Sequence, residues 1–220
     1  MGSITLLFYT ASRIPEKFAM NVRNHLLMTA QGKPIISISQ KPIDFGENIC
    51  VGDIGYTVPN VYAQILTGAK AAKTQYVACC EDDTLYVPEH FDYTLPYEAF
   101  CYNKHRWNLT NGHFYLRHRS VNMCSCIAPT LLMINTLEER FEKMRMGWTL
   151  LHFGEPGRRE RMNGLTEVRS ALFNTDNPII QINHSSSLGG LRAKLKTDIV
   201  QVELPMWGKA TDLWEKMWNA

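Results

Sequence analysis

Apolar residues fall along this chain in short unbroken runs that alternate with helical stripes. Residues 4–9 (I-T-L-L-F-Y) form a run rich in β-branched and aromatic side chains, the pattern of a central strand. A polar turn, Thr10-Ala11-Ser12-Arg13, follows. Over residues 15–28, Phe18, Val22 and either His25 or Leu26 recur at helical spacing. Pro15 suits the first turn of that helix, and Gly32 closes it. Residues 35–39 read as a second strand. Strand, helix and strand in this order predict a parallel pair joined by a right-handed crossover. Residues 41–57 hold Gly46, Gly52 and Gly55 and read as irregular. A second helix is expected over 58–73, with Val61, Ile65, Leu66 and Ala69 on one face and Gly68 as a point of close packing. Residues 76–80 form the third strand.

The second half is patterned differently. A strand is expected at 97–102. Residues 105–119 mix basic and aromatic side chains, among them Arg106, Trp107, Phe114, Arg117 and Arg119. A half-buried hairpin with one solvated face accounts for them, and a surface for an anionic or planar ligand is the alternative. Two apolar segments, 123–127 and 130–134, come next. Asn135 can cap a helix over 136–146, with Glu138 and Glu139 in its first turn. The apolar stretch 148–153 leads into a glycine- and charge-rich loop, G-E-P-G-R-R-E-R, of the kind that more often carries function than packing. A helix over 165–173 and a last strand over 179–182 follow. That strand runs into N-H-S-S-S-L-G-G-L-R. In the tail, 205–220, Trp214 and Trp218 share one helical face, which suits docking on the core or on a second copy of the chain, as in a homodimer. The fold class expected is α/β: a single domain with a mixed, mostly parallel central sheet flanked by helices.

Composition narrows the choices. With 23 Lys and Arg against 21 Asp and Glu, the net charge of +2 excludes polyanion binding by bulk charge. No apolar run approaches the roughly 18–20 residues of a membrane span, and the first strand begins too early for a signal peptide, so a cytoplasmic protein is expected. The six cysteines include no C-x-x-C pair, which argues against structural zinc and for small buried side chains in a reducing compartment. Neither G-x-G-x-x-G nor G-x-x-x-x-G-K-[ST] is present.

The sharpest chemical signal lies at the end of the third strand, where Glu81, Asp82 and Asp83 stand in a row. Adjacent carboxylates at the rim of a core repel one another, and a hard cation such as Mg2+ or Mn2+ relieves this. Ligands of open α/β sheets collect at the carboxyl ends of strands. The plain alternative is a solvated acidic turn, for which Pro88 nearby is a turn signal.

Taken together, the β-α-β start, the acidic strand end, I-A-P-T-L-L-M-I-N-T-L-E-E-R-F-E-K and the late Q-I-N-H-S-S-S-L-G-G resemble the glycosyltransferases of the GT-A fold, family-2-like members in particular. The resemblance spans most of residues 4–192 and rests on the order and spacing of short motifs. It implies a catalytic domain over 1–204, with a nucleotide-sugar half (1–92) and an acceptor half (93–204), followed by the tail 205–220. It places Thr10, Ala11 and Arg13 against the base and ribose of a nucleoside-diphosphate sugar, and Asp82 against the ribose or a metal-bound water. Asp83, with Glu81 as a further candidate, and His184 would hold Mn2+ or Mg2+. The loop with Ser187 and Gly189 would wrap the diphosphate, with Arg192 or Lys194 near the leaving group. Glu155 and Glu160 are the nearest candidates for the base that deprotonates the acceptor hydroxyl. The family's E-D pair is absent here, so inverting and retaining outcomes both stand. Acceptors include a hydroxymethylated base in DNA, flipped from the duplex, as well as saccharide, lipid-linked and protein hydroxyls. A nucleotidyltransferase and a non-catalytic binding module are the competing classes. T-A-S-R-I-P-E-K is a poor match to the basic glycine-rich signature of the first.

Overall fold

The computed structural model describes residues 3–93, 98–116, 121–147, 154–158, 160–187 and 199–219. The chain opens with β1 (Ile4–Thr10), α1 (Glu16–Ala30) and β2 (Ile35–Ser39), and β1 and β2 pair in parallel. β3 (Glu47–Cys50) adds a fourth piece within the segment expected to be irregular. Its exposed edge hides little apolar surface, so its sequence carries no strand alternation. Pairing with β2 is what makes it a strand. α2 (Val58–Ala71) returns the chain to β4 (Tyr76–Glu81), which lies parallel to β1 on the other side. Gly68 of α2 is the expected close approach: a Cβ there would meet Ile38 Cδ1 at 2.5 Å.

Then come β5 (Thr84–Leu85), α3 (Pro88–Phe91), β6 (Ala99–Asn103), β7 (Arg106–Thr110) and β8 (His113–Leu116). β7 and β8 form the expected hairpin. Asn111 and Gly112 turn it with φ of 48° and 71°, the left-handed pair that matches strand twist. β9 (Cys126–Pro129) and α4 (Thr130–Arg145) follow. α4 thus starts five residues before the predicted cap. Asn135 lies inside it, because Thr130, Met133, Leu137 and Arg140 form one buried stripe that begins at Pro129.

The expected helix over 165–173 is instead extended and ends in β10 (Arg169–Phe173), an edge strand parallel to β6. Phe173 is buried there and stacks on Tyr93 at 4.0 Å. Ladder bonds to a strand far away in sequence overrode a helical local pattern. β11 (Ile179–Ile182), β12 (Ile199–Gln201), β13 (Glu203–Leu204), β14 (Gly208–Lys209) and α5 (Ala210–Asn219) complete the chain.

The central sheet has seven strands in the order β10-β6-β9-β4-β1-β2-β3, and only β9 runs against the rest. A second sheet runs β12-β8-β7-β11-β5. Alternation along β1 sorts the two cores. Leu6 and Phe8 face α1, α5 and the second sheet, while Leu7 and Tyr9 face α2 and α4. Of the six free cysteines, Cys50 is exposed and the other five are buried, so the expectation of buried thiols fails only at that sheet edge. Among the described residues no helix is long and apolar enough to cross a membrane.

Candidate active site

The parallel register of β1 and β4 sets Tyr9 opposite Glu81, so both strands end at the same place. A cavity of about 260 Å3 opens there, at the carboxyl end of the sheet. Thr10, Ala11 and Arg13 from the end of β1 line it, as do Glu81, Asp82 and Asp83 from the end of β4. β11 delivers His184 and Ser187 to the same cavity, and the loop after α4 delivers Glu155. The structure therefore brings together nine of the twelve expected residues. Glu160 is buried away from the cavity, and Gly189 and Arg192, with Lys194, lie outside the described residues. So do Arg117 and Arg119 of the basic stretch and the apolar segment 148–153.

The acids differ in their partners, with Gln181 serving both Glu81 and Asp83. Glu81 is engaged at both oxygens, by the Tyr9 hydroxyl at 3.1 Å and by the Gln181 amide at 3.0 Å. Behind it Arg106 donates to Gln181 Oε1 at 2.6 Å, which fixes that amide. Asp82 accepts from the Thr10 hydroxyl. Asp83 accepts from the Thr84 hydroxyl at 3.0 Å, and its Oδ2 lies 3.8 Å from His184 Nε2. Across the cavity Arg13 sits over the Tyr56 ring at 5.1 Å, and the Tyr56 hydroxyl donates to the Ser186 carbonyl. Tyr56 thus ties the loop before α2 to the turn after β11.

Burial raises all three carboxyls. Glu81 is pushed up to about 8 by burial and then by the Asp83 charge, against the Tyr9 hydrogen bond. Asp82 is pushed up to about 7 by the same two causes, against the Thr10 hydrogen bond. Asp83 is pushed up to about 6 by burial, against hydrogen bonds from Thr84 and Gln181. Every folded-state value therefore exceeds its unfolded value, near 4.5 for Glu and 3.8 for Asp. Between about pH 4 and 8 the folded protein binds more protons than the unfolded chain. Stability from these groups is complete below about pH 4 and is lost as the pH rises through 6 to 8. Metal-free protein is expected to melt at a lower temperature at pH 8 than at pH 6, and Mn2+ to recover the loss at pH 8. A melting series in chelator checks this; a flat or rising profile over that window would contradict the upward shift of the three buried carboxyls.

Asp83 and His184 fit a divalent cation. Ligands of one ion stand roughly 2.0–2.1 Å from it, so groups 3.8 Å apart can share one. Burial lowers the His184 pKa, which favours the neutral ring that ligates. Among the described residues no three His, Cys, Asp or Glu side chains close on a metal unaided. One or two carboxylates completed by water and substrate phosphate is the usual arrangement for Mg2+, and Asp83 supplies one such carboxylate. Glu81 faces its protein partners instead.

Glu155 and Glu160 part company. Glu160 is 5% exposed and paired with Arg140 at 3.0 Å, and it accepts from the Gly157 amide at 2.6 Å. Arg140 also donates to the Gly154 carbonyl. The Tyr62 and Tyr102 hydroxyls donate to the carbonyls of Gly154 and Pro156 at 3.0 and 2.8 Å. These bonds hold the backbone on both sides of Glu155, which faces the cavity. Sequence reasoning missed Gln181 and Tyr56. A glutamine within I-I-Q-I and a tyrosine beside Gly55 were the available signals.

No family model matches the sequence, and no curated protein matches it. Solved structures do. The glycosyltransferase GlyE of Streptococcus pneumoniae aligns with 100% of this chain and 61% of its own, at 9% identity and a TM-score of 0.53. A Drosophila beta-1,4-galactosyltransferase 7 mutant, solved with manganese, UDP-Gal and xylobiose, covers 90% of this chain and 77% of its own, at 12% identity and 0.48. The bifunctional IspDF of Campylobacter jejuni covers 79% of this chain at 12% identity and 0.46, and this chain spans 50% of its length. The likeness to GlyE runs over the whole chain and defines the fold as GT-A-like α/β, the class expected from the sequence.

Proposed function

We propose that this protein is a metal-dependent glycosyltransferase that moves a sugar from a nucleoside-diphosphate sugar to an acceptor hydroxyl. One observation carries the reading: Asp83 and His184, from separate strands, meet at a cavity that also holds Thr10, Asp82 and Glu155. An acidic turn serving only as a turn has no reason to meet a buried histidine.

Thr10, Ala11 and Arg13 bind the base and ribose, and Asp82, held by Thr10, faces the ribose. Asp83 and His184 hold Mn2+ or Mg2+, which when bound offsets the charge that develops on the leaving diphosphate. The Ser186 amide and the Ser187 hydroxyl, in the turn after β11, are suited to phosphate oxygens, the Ser187 amide being engaged by the His184 carbonyl at 3.1 Å. Glu155 takes the proton from the acceptor hydroxyl as the new glycosidic bond forms and the sugar–phosphate bond breaks. Glu160 serves as scaffold. Among acceptors, small saccharide hydroxyls are favoured over hydroxymethylated DNA, because Arg106 and Trp107 are buried and unavailable to a duplex.

A thermal-shift screen of nucleoside diphosphates and their sugars, with and without Mn2+, tests the reading. At 100 times Kd, binding stabilises by about 2.7 kcal/mol, or roughly 5–10 °C for a chain of this size. One donor is expected to give such a shift in Mn2+ alone. No shift with any donor would leave a non-catalytic module as the better account. Salt-dependent binding of hydroxymethylated duplex DNA, followed by sugar uptake, would restore DNA as the acceptor.

A further inference from the structure

The C-terminal helix reaches the cation pair. His184 follows β11 and is 5% exposed. Its ring lies 5.9 Å from the Phe18 ring, tilted by 54°, and 6.1 Å from the Trp218 ring, at 69°. Phe18 and Trp218 themselves touch at 4.3 Å. The imidazole is therefore flanked by two aromatic rings, with its Nε2 toward Asp83. Phe18 is fully buried and fixed by α1. Trp218 comes from α5, which is itself pinned. Ala210, Leu213 and Met217 sink into the core, Asn21 donates to the carbonyls of Lys216 and Met217, and Lys17 donates to that of Asn219. Three polar contacts on the last turn of a helix fix where Trp218 stands.

We propose that α5 is a working part of the cation site, and that Trp218 and Phe18 are positioning residues that hold His184 against Asp83. This rests on the reading of Asp83 and His184 as cation ligands. Edge and tilted ring contacts restrict rotation of the imidazole without drawing on its nitrogens, so Nε2 stays available to the ion. Hydrogen-bonding partners that orient a ligating histidine are worth about 10–100-fold in metal affinity, and the Phe18 and Trp218 rings take that orienting part by packing. If α5 is only packing, loss of Trp218 lowers the melting temperature and leaves metal affinity alone.

The test titrates the full-length chain with Mn2+ alone and follows free ion by electron paramagnetic resonance. His184→Ala sets the floor. Trp218→Ala is expected to weaken Mn2+ binding about 10-fold or more, while Trp218→Phe, which keeps a ring, retains most of the affinity. Trp218→Leu is the second ringless variant should the alanine form fail to fold, and it is expected to weaken binding likewise. Trp214→Ala, on the same helix and 5.6 Å from Trp218, is expected to lower stability without this loss. Wild-type affinity in a folded ringless variant overturns the proposal and leaves the ligand pair standing. Equal affinity in wild type and His184→Ala overturns the ligand pair and the proposal together.

Discussion

Asp83→Asn is expected to abolish the Mn2+-dependent rise in melting temperature while making the metal-free protein more stable at pH 8. The two effects have opposite signs and one cause. Asp83 is the second cause, after burial, of the raised values of both Glu81 and Asp82. Removing its charge relieves both, so less stability is lost on deprotonation. An amide keeps an oxygen for the Thr84 hydroxyl and can still face His184. It does not replace a carboxylate as a ligand for a hard cation. Ligand-linked stabilisation of about 2.7 kcal/mol at 100 times Kd should disappear, and sugar transfer with it. Melting curves with chelator, with Mn2+ and with Mn2+ plus donor separate the two effects. A full Mn2+ response in Asp83→Asn would remove Asp83 from the cation site. Lower stability without metal would mean that the carboxylate serves the fold.

Glu160→Ala and Glu155→Gln are expected to fail in different ways. Arg140 and Glu160 are 2% and 5% exposed at their side chains. Breaking such a pair from one side leaves a buried charge uncompensated, at a cost of about 3–5 kcal/mol. For a chain of this size that is a drop of roughly 6–20 °C. The Gly157 amide loses its acceptor as well, so the loop carrying Glu155 loosens. Glu155→Gln touches none of these bonds. It is expected to melt like the wild type, to bind donor, and to lose about 10^2–10^4-fold in kcat, the contribution of a placed general base. Transfer assays and melting curves on both variants decide between them. A stable, inactive Glu160→Ala beside an active Glu155→Gln would reverse the two roles.

Local chemistry made part of this protein legible in the sequence. Runs such as I-T-L-L-F-Y have one satisfactory environment, a buried strand, and the stripe of Phe18, Val22 and Leu26 has one satisfactory geometry. Three acids directly after an apolar strand mark the end of β4 as unusual because their repulsion is local. The resemblance carried by the order of motifs added His184 and the loop with Glu155. Elsewhere the deciding partners are distant in sequence. β10 is a strand because β6 offers it a ladder, and no periodicity within residues 165–173 encodes β6. Two glutamates five apart in one loop look equivalent until Arg140 claims Glu160 and turns it inward. Gln181 and Glu81 are 100 residues apart, and only the second sheet brings them together. Trp218 reaches His184 because α5 lies along α1. Hydrophobicity and periodicity are properties of a segment, so the sequence by itself determined β1, β2, β4 and β11, the helices α1 and α2, and the acidic strand end. The surroundings of Glu155, Glu160, Gln181 and Trp218 depend on which segments meet, and only the tertiary structure decided them.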